Sequence, residues 1–223
     1  MPELTTRPTH VALAVVLQVR DGRLQALLWQ RALEPFAGAW ALPGGVLADE
    51  ETLEASIRRH LAAKVDVREV AHLEQLETRS PPGRHLTTAY LGLVPVGVDP
   101  GVPEDTAWHP VDALPELAFD HGEITLAGRE RLRAKLSYTN AGFALAPEEF
   151  TISELRDVYE AAIGHRVTTT NLQRVLLRRG VIEATGRRRD PGRAGGRPPA
   201  LYRFSERALQ VTDPFAVLRP PAG

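Results

Sequence analysis

The chain has 223 residues, a quarter of them charged, a net charge of −1 and no cysteine. That length suits two domains better than one, and the ordinary apolar and charged content excludes a disordered or low-complexity protein. The lack of cysteine excludes disulfides and thiolate zinc sites and fits a reducing cytoplasm; no signal peptide is read, and the longest apolar run, residues 11–17, is strand-sized rather than bilayer-spanning.

Residues 10–18 and 24–30 read as two strands of a hairpin turned at Asp21 and Gly22, because Asp-Gly between apolar runs favours a tight turn. Residues 36–43 form a loop entering Gly44 and Gly45. Residues 50–65 read as a helix, with Leu53, Ile57 and Leu61 recurring every four positions. Strands follow at 70–78 and 85–94, joined by a Pro/Gly loop, and a short strand at 107–109. Asp120 with Glu123 three residues on has the pattern of a capping box opening a helix to about residue 136. The weakly periodic stretch after it reads as a linker. The expected division is a first domain at 1–138, a linker at 139–150 and a second domain at 151–223.

The second domain opens on another capping box, Thr151 with Glu154. Ile152, Leu155, Tyr159, Ala162 and Ile163 make one apolar face, and Gly164 stands where the helix stops. Thr168, Thr169 and Thr170 offer N-caps for a following helix that Gly180 ends. Helix, short turn, helix is the helix-turn-helix pattern. Strands at 181–184 and 200–204, with a Gly-, Arg- and Pro-rich loop between them, make a wing.

Charge is uneven. From 166 to 207 the basic residues are all arginine: Arg166, Arg174, Arg178, Arg179, Arg187, Arg188, Arg189, Arg193, Arg197, Arg203 and Arg207, against only Glu183, Asp190 and Glu206. A basic end on an otherwise acidic chain points to a polyanionic partner. In the second helix Asn171, Arg174 and Arg178 share a face, flanked by Gln173 and Arg179. Arginine reads guanine and asparagine reads adenine in the major groove, so this face has DNA-reading chemistry. The three threonines at the helix start can hold a phosphate; Arg187, Arg188, Arg189, Arg193 and Arg197 on the wing can neutralise phosphates or enter a minor groove.

In the first domain, Gly45, Glu51, Arg59, Leu61 and Val67 stand at the spacing of a Nudix box, approached by the typical Trp40-Ala41-Leu42-Pro43-Gly44-Gly45. This half resembles a Nudix domain, an α/β/α sandwich around a mixed sheet. The box places glutamates on one helical face to bind Mg²⁺ or Mn²⁺. Here three of those positions read His60, Ala63 and Lys64, and Asp66 replaces the glycine that stops the helix. Lys64 puts a cation where a metal belongs, so the fold is expected without the hydrolase chemistry, and no metal or cofactor is expected.

Both halves together resemble one family, the Nudix-related transcriptional regulators of NAD metabolism known as NrtR. Besides the altered box, the matching residues are Leu117-Ala118-Phe119-Asp120-His121, Leu132-Arg133-Ala134-Lys135, Phe150-Thr151-Ile152-Ser153-Glu154-Leu155, Val158-Tyr159-Glu160-Ala161, Asn171, and Arg197-Pro198 with Leu201-Tyr202-Arg203. The resemblance implies a homodimeric repressor on a palindromic operator, released when ADP-ribose or a related nucleotide binds the Nudix domain. For the pocket it points to Arg31, Arg79 and Arg84 near phosphates or ribose, with Phe119 and His121; Lys64 is a further candidate for the diphosphate. His121 can equally be just the first residue of a helix. The segment 78–85 is shorter than in most of the family, which leaves a sugar-responsive regulator open; an active ADP-ribose pyrophosphatase relying on Glu51 and Glu54 is the other alternative.

Overall fold

A computed structural model describes residues 9–80, 85–190 and 198–213. Contacts divide the chain into two compact units. One gathers residues up to 17 with 25–92 and 99–128; the other gathers 18–24, 93–98 and the chain from 129 onward.

The first unit is built on a sheet. Strands β1 (His10–Arg20) and β2 (Arg23–Gln30) are the expected hairpin, and Asp21 (φ 50°) and Gly22 (φ 71°) take the two left-handed positions that such a turn demands. The other strands are β3 (Trp40–Ala41), β4 (Gly44–Val46), β5 (His72–Arg79), β6 (Leu86–Leu93) and β7 (Thr106–Pro110). The order is β3-β2-β1-β6-β5, with β4 added on β1 and β7 on β2. Residues 12–19 of β1 are all buried, and the apolar run through Leu17 is what a strand at the centre of a covered sheet requires.

Helix α1 (Leu53–Val65) starts three residues later than the periodicity predicts, because the Thr52 hydroxyl accepts from Ala55 N and caps it there. At its end Asp66, in place of the box glycine, makes the altered helix stop: it adopts the left-handed conformation itself (φ 50°, ψ 27°), which Asp tolerates better than most residues. Helix α2 (His121–Tyr138) lies against β1 at Gly128, where a Cβ would come within 2.7 Å of Val15.

In the second unit, helices α3 (Ile152–Ile163) and α4 (Thr169–Arg178) form the helix-turn-helix, followed by β8 (Ile182–Arg188) and β9 (Ala200–Phe204) as an antiparallel wing. The Thr151–Glu154 capping box is complete, Gly164 caps α3 in the left-handed region, and Thr168 caps α4. Two features differ from expectation. β8 runs to Arg188, carried past Gly186 (φ 76°) by a register shift, so Arg187 and Arg188 lie on a strand. The stretch 139–150 is not a free linker. Residues 141–144 form a buried 3₁₀ turn, and Gly142 sits so close to Tyr159 and Phe204 that a Cβ would reach the tyrosine oxygen at 2.6 Å. Phe143 and Phe150 are among the most deeply buried side chains, so this segment is core. Asn140 also ties down the chain after the wing, donating to the carbonyls of Glu206 and Ala208 and accepting from Gln210 N. Among the described residues no helix is long and apolar enough to cross a membrane.

Candidate functional site

A cavity of about 920 Å³ opens in the first unit. Its walls come from β1, β2 and the loop after it, β4, α1, β5 and the start of α2, and they bring together Arg31, Lys64, Arg79, Phe119 and His121. Arg84 lies outside the described residues.

The altered box forms one wall. Arg59 grips Glu51 with two hydrogen bonds, Nε to Oε1 at 2.8 Å and Nη2 to Oε2 at 2.7 Å. That guanidinium holds the Glu51 carboxyl down at about 2, and Ala48 N also donates to it. The surviving glutamate therefore braces the loop before α1. His60 is buried against Gly45, with Nε2 3.2 Å from Val46 O, and burial lowers its pKa from the ordinary histidine value. Lys64 Nζ donates to Gly44 O at 2.7 Å and sits 4.2 Å above the centre of the Trp29 ring. Burial lowers its pKa, and Arg31 and Arg59 add to that. An ammonium bound to Gly44 O, an alanine and an imidazole already engaged do not fit a hard divalent cation, which wants several oxygen donors.

Aromatic and cationic groups line the mouth. Phe119 meets Phe36 edge-on at 4.8 Å, and the Arg31 guanidinium lies 4.9 Å from the Phe119 ring centre. Both phenylalanines hold left-handed backbones (φ 56° and 69°), which cost on the order of 1–3 kcal/mol each and persist where surrounding structure fixes them, often at binding sites. Among the described residues the Arg31 guanidinium otherwise donates to the carbonyls of Pro35 and Leu33. Neither Arg31 nor Lys64 has a carboxylate partner among the described residues. Arg79 differs: it is shared by Glu77, Asp120 and Glu123 at 2.8–3.0 Å, so the acids expected to cap α2 converge on this arginine. Phe36 and Trp29 were not anticipated here, and His60 only as a box position; the loop after β2 brings in Phe36, β2 itself Trp29 and the α1–β4 packing His60. Trp40 packs on His109 at 4.4 Å instead of lining the cavity.

His121 fills both of its alternative readings, as first residue of α2 and as cavity wall. Its Nδ1 accepts from Leu42 N at 3.0 Å, which puts the proton on Nε2. Burial pushes its pKa down to about 4, against a raising effect of Asp120 and a lowering one of Arg31. In the unfolded chain the ring titrates near 6.5. Below that value only the unfolded state takes up the proton, so stability should fall with pH between about 6.5 and 4. The slope should approach about 1.4 kcal/mol per pH unit, roughly 3 kcal/mol in all. Urea unfolding at a series of pH values should show this slope in the wild type and lose it in His121→Asn.

On the second unit, Asn171, Arg174 and Arg178 are exposed along α4 as predicted. Thr169 is half-buried and Thr170 exposed at the helix start, while the Thr168 hydroxyl is used as the cap. Gln173 is tied to β9, donating to the Tyr202 hydroxyl at 2.8 Å. The expectation that Arg179 flanks the reading face is corrected. Its guanidinium donates to Thr212 Oγ1, Ser137 O and Thr139 O, clamping the end of α2 to the segment after β9. Arg179→Ala should therefore lower thermal stability by several degrees, about 1–2 kcal/mol, and leave the salt dependence of any DNA binding unaltered. On the wing, Arg187 pairs with Glu149 and Arg189 with Glu154, while Arg188 donates to Pro198 O at 2.9 Å. Wing charge is thus partly neutralised within the unit. Arg193 and Arg197 lie outside the described residues.

A family model for the NUDIX domain matches residues 8–127, and one for the NrtR DNA-binding winged helix domain matches residues 142–204. The chain is 34% identical, over 89% of its length and 81% of the relative's, to a protein of Acinetobacter baylyi described as an ADPR responsive transcriptional repressor. It also resembles the crystal structure of Shewanella oneidensis NrtR complexed with a 27mer DNA, at 32% identity and a TM-score of 0.72, covering 87% of this chain and 92% of that one. The NUDIX domain of the same Shewanella protein complexed with ADP ribose matches at 33% identity and a TM-score of 0.51, over 59% of this chain and 93% of that one.

Proposed function

Because the chain belongs to the NrtR family of Nudix-related transcriptional regulators, we propose that it is a DNA-binding repressor of NAD metabolism genes that senses ADP-ribose or a related nucleotide. Sensing belongs to residues 1–138 and operator reading to 151–223, with 139–150 joined to the reader. A homodimer matches a palindromic operator through its own two-fold axis, and the protein works in the cytoplasm, where that DNA is.

One observation carries the sensing half: among the described residues, Arg31 and Lys64 face a common cavity without a carboxylate partner, beside the Phe36–Phe119 pair. Uncompensated cations in a half-buried cleft favour a diphosphate, and aromatic faces favour a nucleobase. Lys64 and Arg31 contact phosphates, Phe119 the base, and the His121 Nε2–H an oxygen of the nucleotide; Arg79, already held by Glu77, Asp120 and Glu123, lines the same cavity but is not assigned to the diphosphate. Catalysis is not expected. A box reading His60, Ala63 and Lys64 has exchanged metal ligands for an ammonium that stabilises the diphosphate without hydrolysing it.

The test is a titration of the protein against its own upstream DNA, with and without ADP-ribose, with Mg²⁺-dependent hydrolysis followed in the same samples. Specific binding that intact ADP-ribose releases is the expected result. Turnover of ADP-ribose, or no specific DNA binding, would overturn the reading.

A further inference from the structure

Arg174 Nη2 donates to Asn171 Oδ1 at 2.8 Å on the exposed face of α4. The amide oxygen is thus already shared with a cation. Beyond that shared oxygen, which keeps one lone pair, what the pair turns outward is donor: the Asn171 NH₂ and the remaining guanidinium N–H groups. The surrounding helix offers little to offset this. No residue of α4 is acidic, Gln173 is held by Tyr202, the Thr168 hydroxyl is used as the cap, and Arg178 adds further donors with no partner of its own among the described residues.

The four base edges in the major groove differ in what they ask for. Adenine needs a donor and an acceptor together, cytosine needs an acceptor, thymine presents one acceptor beside a methyl, and guanine alone presents two acceptors, O6 and N7. An asparagine that reads adenine must give its oxygen to N6, and here that oxygen holds an arginine.

We propose that Asn171 is a positioning residue that holds Arg174 in the orientation for a guanine, so that each half-site carries a guanine read by Arg174, and that Asn171 does not read adenine. This rests on α4 being the DNA-reading helix.

The experiment selects duplexes from a randomised pool with the full chain, then titrates the selected duplex with wild type, Arg174→Ala and Asn171→Ala. A guanine should be required at one position per half-site. Replacing it with 7-deazaguanine, which lacks the N7 acceptor, should weaken wild-type binding about tenfold or more. Inosine, whose major-groove edge is that of guanine, should bind as guanine does. Arg174→Ala should abolish the preference at that position. Asn171→Ala should reduce it several-fold with the salt slope unchanged, since no phosphate contact is lost. Three results would overturn the proposal: equal binding of the 7-deazaguanine duplex, an adenine as the base whose preference Asn171→Ala removes, or an Asn171→Ala preference identical to wild type. Failure to enrich any duplex over random DNA would instead remove the DNA-reading assignment itself, and the proposal with it.

Discussion

A Lys64→Glu variant should bind ADP-ribose roughly 30- to 1000-fold more weakly than wild type when both are titrated calorimetrically in EDTA. The change removes the ammonium proposed to meet the diphosphate and puts a carboxylate in its place. Truncating one partner of a desolvated, hydrogen-bonded charge pair costs about 2–4 kcal/mol, and the new negative charge adds to that. Lys64→Met separates the two effects and should show a smaller loss. Adding Mg²⁺ should restore little to Lys64→Glu, because His60 and Ala63 still supply no hard oxygen donor at the neighbouring positions. Thermal denaturation of the same samples guards against misfolding, since a carboxylate there would face Gly44 O and the Trp29 ring. Unchanged affinity in a folded Lys64→Glu protein would remove Lys64 from the binding site.

Phe150→Ala should cost about 3–5 kcal/mol of stability, a large part of the roughly 5–15 kcal/mol that holds an ordinary domain together. The Phe150 ring is fully buried, 5.3 Å from the Phe204 ring centre, and its backbone exchanges hydrogen bonds with Tyr202 on β9 at 3.0 and 2.8 Å. Alanine leaves those backbone bonds possible but opens a cavity that rigid neighbours cannot fill. Urea unfolding followed by far-UV circular dichroism should show the midpoint falling with little change in slope, and Phe150→Leu should recover most of it. A loss below about 1 kcal/mol would mean that residues 139–150 behave as the linker that their weak periodicity suggested.

Much of the local structure was legible because it depends on neighbours in the chain. Asp21 and Gly22 turn the first hairpin, Thr151 and Glu154 cap α3, and Gly164 and Thr168 bound the turn before α4. Each is a bond between residues a few positions apart, and the residue types that make it are few. Family membership was legible for a related reason: the Gly45–Glu51–Arg59 spacing is a local pattern, and in it Arg59 grips Glu51.

Two misreadings share a cause in contacts between distant segments. Residues 139–150 lack a helical or strand period, so pattern alone makes them a linker; Tyr159, Phe204 and Tyr202 make them core. Arg179 shares a basic helix with Arg174 and Arg178, yet Thr212, far along the chain, takes its guanidinium. Asp66 breaks the box pattern, yet the α1 stop survives because backbone conformation, rather than glycine as such, is what the position needs.

By itself, then, the sequence determined which elements form, where most of them begin and end, and which family's pattern they follow, since propensity, capping and spacing act over a few residues. Tertiary structure alone decided which side chains are free to act. Among the described residues it left Arg31 and Lys64 without acids and surrounded Arg79 with three of them. It brought Phe36 to Phe119 across the fold and took Gln173 and Arg179 away from the reading face. A charged or aromatic group's availability depends on what folding places within a few ångströms of it, and that distance is not written in its spacing along the chain.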